Sequence, residues 1–136
     1  VQSNVRLAAN YITKEVRYAD KISTTDTKMP NDRTYYCLKL GEDAKRLQEE
    51  IISPDNIKHR TITQDSCLEA LTFKFDFRNG KPFVWFEIKG HDETSRQKHD
   101  ISSEVLLVNI KDLKEVIPEG SEESEWSKIY FTKPGG

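Results

Sequence analysis

Apolar residues recur along the first twenty positions at spacings of three and four: Val5, Ala8, Ile12, Val16 and Ala19. That spacing places them on one face of a 3.6-residue period and predicts a helix from about Asn4 to Asp20, with Ser3 or Asn4 as its N-cap. Residues 23–34 are polar and carry the breaker Met29-Pro30-Asn31-Asp32, so a loop is expected there. Tyr35 to Leu40 is aromatic and aliphatic enough for a strand. After Gly41, the residues Ala44, Leu47 and Ile51 again follow three-and-four spacing. They predict a second amphipathic helix over about 42–52, stopped by Ser53-Pro54. Segment 57–64 alternates weakly and reads as an edge strand.

The pattern changes period at 68–89. Asn79-Gly80 is the preferred two-residue type I′ turn, and both flanks alternate with period two. Folding about that turn pairs Arg78 with Lys81 and, step by step, Thr72 with Glu87. One face then carries Leu71, Phe73, Phe75, Phe77, Val84, Phe86 and Ile88 and must be core, because each large side chain gains roughly 1.5–3 kcal/mol on burial. The other face carries Thr72, Lys74, Asp76, Phe83, Trp85, Glu87 and Lys89. A polar stretch, 91–100, separates this hairpin from an apolar strand at 105–110. One or two helical turns are expected over 111–117 and a last strand over 126–132. The whole reads as α+β: residues 1–136 in one domain, whole or a fragment of a longer protein, with a mainly antiparallel sheet, a central hairpin and two helices.

Composition narrows the class. Leu, Ile, Val and Phe are 33 of the 136 residues, above the roughly one-fifth level below which disorder is the default. No apolar run approaches the ~18 residues of a membrane-crossing helix, so no membrane association is expected. Twenty-one basic and 23 acidic residues give a net charge of −2, which argues against gripping duplex phosphates over a large area. Glu119, Glu122, Glu123 and Glu125 form an acidic stretch, read as a solvated loop. Cys37 and Cys67 stand thirty residues apart without metal-ligand spacing, and isolated cysteines of this kind suggest buried thiols, although one disulfide between them is an alternative. The expected location is cytoplasmic or nuclear.

Two patterns touch on chemistry. Asp76 followed by Glu87-Ile88-Lys89 is similar to the motif of PD-(D/E)xK nucleases, whose carboxylates hold a divalent metal. The hairpin register sets Asp76 opposite Phe83 and Glu87 opposite Thr72, however, and four residues along a strand span ~13 Å. His91-Asp92, Glu93 and His99-Asp100 contain metal-ligand types at a spacing matching no structural zinc motif. No nucleophile elbow, Walker A sequence or G-x-G-x-x-G accompanies them, so no catalytic residue, metal or cofactor is assigned.

The outer hairpin face is the candidate site. Phe83 and Trp85 alternate outward among Lys74, Arg78, Lys81 and Lys89, and aromatics rimmed by charge are typical of binding hot spots. The segment Gly80-Lys81-Pro82-Phe83-Val84-Trp85-Phe86 also resembles the aromatic strand of RNA recognition motifs, which implies base stacking on single strands. A non-enzymatic module that binds a protein partner through these six residues is the leading expectation. Single-stranded nucleic-acid binding and a metal-dependent nuclease are the alternatives, and a homo-oligomer through the same face is compatible with the pattern.

Overall fold

The first helix, α1, spans Asn4–Val16 and buries Val5, Ala8, Ala9, Ile12 and Val16, the face its spacing predicted. The computed structural model describes residues 4–41, 45–64, 67–91, 97–110 and 124–134. α1 ends earlier than expected. Ala19 N–H donates to the Val16 carbonyl at 3.2 Å, and Asp20 N–H then donates to the Thr132 carbonyl. The chain has passed from helical turn to strand pairing, and Ala19 stays buried without being helical.

Among the described residues eight strands follow: β1 (Lys21–Ser23), β2 (Tyr35–Leu40), β3 (Leu47–Ile52), β4 (Ile57–Thr61), β5 (Leu68–Arg78), β6 (Lys81–His91), β7 (Lys98–Leu106) and β8 (Ile129–Thr132). They form two sheets, a five-stranded one ordered β1-β8-β2-β3-β4 and a three-stranded one ordered β5-β6-β7. Every pairing is antiparallel. The α+β class and antiparallel pairing stand as expected, while the strands divide between two sheets instead of extending one.

The second predicted helix is not found among the described residues. Positions 42–44 lie outside the described residues, and Leu47–Ile52 is strand β3, paired along its length with β2. Leu47 and Ile51 are four apart, which suits one helical face, but they are also two steps of a period-two strand with Glu49 between them. Pairing with β2 buries Leu47 and Glu49 together, and that tertiary gain overrides the helical preference of Gln48-Glu49-Glu50. β1 and most of β7 were also unforeseen. β7 is polar from Lys98 to Glu104, yet Ile101, Ser103 and Val105 alternate inward against Ile88, Phe86 and Val84. The helical turns expected over 111–117 and most of the acidic stretch lie outside the described residues.

The hairpin register is the predicted one, from Arg78 opposite Lys81 to Thr72 opposite Glu87. Asn79 and Gly80 take φ of 54° and 77°, the left-handed pair that a type I′ turn requires. Its inner face is core except Phe77, which is 45% exposed near the hairpin tip. The core joins this face to α1 and to Ile22, Leu38, Leu47, Ile129 and Phe131 of the larger sheet.

Two contacts tie the layers together. Trp126, expected within the last strand, instead exchanges backbone hydrogen bonds with Phe73 at 2.7 and 2.9 Å, before the chain crosses to β8 in the other sheet. Gly90 lies on the inner face of β6, where a Cβ would come within 2.6 Å of Val5 Cγ2 and 2.7 Å of the Cys67 carbonyl oxygen. Gly90→Ala is therefore expected to destabilise by roughly 1–3 kcal/mol through overpacking against helix and backbone. Denaturant unfolding of the variant checks this, and an unchanged midpoint would mean that α1 does not seat on Gly90.

Candidate functional site

The alternation of β5 and β6, with β7 added in register, assembles the outer face of the three-stranded sheet in cross-strand rows. Asp76, Phe83 and Leu106 form one row, and Lys74, Trp85 and Glu104 the next. Thr72, Glu87 and Ser102 follow, and then Ala70, Lys89 and Asp100. The opposite face holds α1 and the core, since Val5 reaches Gly90 from that side. Phe83, Trp85 and Leu106 are each half-buried.

The basic side chains predicted to steer a partner are held by neighbours. Arg78 places its guanidinium 4.7 Å from the centre of the Phe83 ring. The same group pairs with Asp76 at 3.0 Å and donates a hydrogen bond to Glu104. Lys74 Nζ sits 5.1 Å from the Trp85 ring centre and 3.4 Å from Glu125. Lys89 lies 3.9 Å from Glu87, while Lys81 is exposed beside the turn. Cation–π contacts at exposed sites contribute about 0.5–1 kcal/mol each, enough to set ring orientation. All six residues thus share one face, but two of the four cations hold the aromatics in place.

Asp76 and Glu87 are not brought side by side: they face Phe83 and Thr72 respectively. His91 and His99 do not converge, since His91 stands opposite Lys98 and His99 opposite Gly90, so the two side chains leave opposite faces. His91 Nδ1 lies 3.3 Å from Glu69. Among the described residues no group of three or more His, Cys, Asp and Glu could hold a metal ion. Cys37 and Cys67 are buried and not joined in a disulfide, and burial pushes the Cys37 thiol up to about 11.

A second polar cluster went unforeseen. β3 alternation turns Glu49 to the core face of the larger sheet, where it is 1% exposed. Its Oε1 accepts a hydrogen bond from the Tyr11 hydroxyl of α1 at 2.9 Å, while Oε2 is buried with no hydrogen-bond partner among the described residues. Arg60 on β4 donates to the Tyr11 oxygen at 2.6 Å and lies 3.8 Å from Glu49. Nearby, Lys133 pairs with Glu15 at 3.1 Å and lies 4.2 Å from the centre of the Tyr36 ring. Burial raises the pKa of Glu49 above the usual carboxylate range, against the lowering effects of the Tyr11 hydrogen bond, Lys133 and Arg60. The Tyr11 hydroxyl is likewise raised, first by burial and then by the Glu49 charge. The alternation Leu47-Gln48-Glu49-Glu50-Ile51 is the one signal that points to this cluster, and it emerges only when the segment is read as a strand.

No helix among the described residues is long and apolar enough to cross a membrane. Comparison with known proteins finds no matching family model, no matching curated protein and no matching solved structure.

Proposed function

We propose that the chain is a non-enzymatic binding module whose outer β5–β6–β7 face receives a protein partner. The patch of Phe83, Trp85 and Leu106 across two adjacent rows, half-buried and framed by oriented cations, is the observation that carries this reading. A preset aromatic surface loses little side-chain freedom on binding, so more of its buried area is realised as affinity.

The charge pattern favours protein over nucleic acid. Lys74, Arg78, Lys81 and Lys89 are matched on the same face by Asp76, Glu87, Asp100 and Glu104. Interleaved signs suit the polar rim of a protein interface, whereas a phosphate backbone demands a track of one sign.

Trp85→Ala tests it. Partners retained from a cell extract by the immobilised wild-type chain are to be lost or weakened roughly thirtyfold with the variant, a hot-spot effect of about 2 kcal/mol. The variant's thermal melt is to stay near that of wild type. Collapse of its fold would make Trp85 a core residue. Amide shifts along 74–89 on adding a mixed-sequence single-stranded oligonucleotide with Mg²⁺ would replace the protein partner with nucleic acid.

A further inference from the structure

We propose that the outer edge of β4 is a second docking element, which takes an extended acidic segment of a partner protein as a sixth strand of the larger sheet.

β4 ends the sheet order, and all five of its residues, Ile57-Lys58-His59-Arg60-Thr61, are exposed. Its pairing with β3 runs unbroken from Ile52 opposite Ile57 to Gln48 opposite Thr61. Ser53 N–H donates to the Asn56 carbonyl, and Ile62 N–H donates to the Leu47 carbonyl. Hydrogen-bonded pairs alternate in an antiparallel ladder, so these two bonds direct the backbone groups of Lys58 and Arg60 toward β3. The N–H and C=O groups of Ile57, His59 and Thr61 therefore face outward. β1, at the opposite edge, is only three residues long.

Edge strands are commonly blocked by proline, bulges or inward charges. β4 has neither proline nor bulge, and its selection is by charge. Two copies paired antiparallel about His59 would set Lys58 against the other copy's Arg60. Shifting the register by two residues sets Lys58 against Lys58 or Arg60 against Arg60. Every antiparallel register that joins the outward groups of Ile57, His59 and Thr61 and overlaps three residues or more opposes like charges, which is destabilising. An acidic strand reverses the sign. Glu or Asp opposite Lys58 and again opposite Arg60, two positions apart, would lie on the face those side chains share, with an apolar residue opposite Ile57. Ile57 is 58% exposed and stands ready for that contact. Lys58 forms no ion pair with a described residue, and the Arg60 side chain is 56% exposed while it holds Tyr11. This mode of recognition draws affinity from the main chain and specificity from alternate side chains.

The test titrates the ¹⁵N-labelled chain with acetylated, amidated Thr-Glu-Val-Glu-Val-Glu-Thr and with its lysine counterpart. The acidic peptide is to shift amides clustered on 57–61 and to slow hydrogen exchange at Ile57, His59 and Thr61. Its affinity is to exceed that of the lysine peptide about tenfold or more and to fall with added salt. Lys58→Glu is to weaken it about tenfold. His59→Pro, which removes an outward N–H and leaves the β3 ladder intact, is to abolish binding while shifts elsewhere in the spectrum persist. Silence with both peptides, equal binding of both, shifts on the outer β5–β6–β7 face instead, or self-association through β4 would each overturn the proposal.

Discussion

Phe73→Ala is expected to lower the unfolding free energy by about 3–5 kcal/mol, the usual cost of a large aromatic cavity in a core. Phe73 is fully buried opposite Phe86 at the middle of the inner hairpin face. Its backbone also receives the Trp126 bridge that closes the β5 edge. A small domain is stable by only about 5–15 kcal/mol, so the variant is expected to unfold at much lower denaturant concentration, with the slope of the transition kept. Phe73→Leu, which keeps most of the volume, is expected to cost roughly 1 kcal/mol. Equal losses for the two variants would trace the effect to the Trp126 bridge and not to the cavity.

The second large effect depends on pH. Tyr11→Phe removes the hydroxyl that donates to Glu49 and leaves a buried carboxylate short of its closest donor. Leaving a buried charged acceptor unsatisfied costs about 3 kcal/mol when it is ionised and far less when it is protonated. The Glu49 pKa is already above its ordinary value, so the unfolded chain ionises this group more readily than the folded one. The stability linked to Glu49 is thus fully present below the ordinary carboxylate pKa of about 4.3 and is lost as pH rises through the raised folded value. Tyr11→Phe pushes that value further up and enlarges the loss. Urea unfolding at a series of pH values is expected to show the variant near wild type under acid and well below it at neutral pH. Glu49→Gln is expected to remove this part of the pH dependence. A constant difference at every pH would mean that Tyr11 acts through packing alone, without serving the charge.

Both predictions bear on how the binding faces are held. The inner hairpin face that Phe73 anchors is the reverse side of the surface carrying Phe83 and Trp85. The Glu49 cluster joins α1 to β3 and β4, the strand whose open edge is proposed to take a partner. Destabilising either cluster is expected to weaken the adjoining surface before any contact residue is touched.

What the sequence by itself determined is the part written in local periodicity. Asn79-Gly80 and strict alternation specified the hairpin, its register and which side of it carries Trp85, because a two-residue turn leaves one pairing that keeps the aromatics together. The three-and-four spacing likewise specified α1 and its buried face. Tertiary structure alone decided the rest. Leu47 and Ile51 satisfy both helical and strand periods, and only the neighbouring β2 selects the strand. β7 is too polar to announce itself and forms because β6 offers it an edge. Lys74 and Arg78 became supports for Trp85 and Phe83 because Glu125 and Glu104 arrive from distant positions in the chain. Glu49 became a buried charge because β3 turned it toward α1. Each of these outcomes rests on a partner outside the segment itself, whether the next strand or a distant side chain, and a local pattern carries no record of who that partner is.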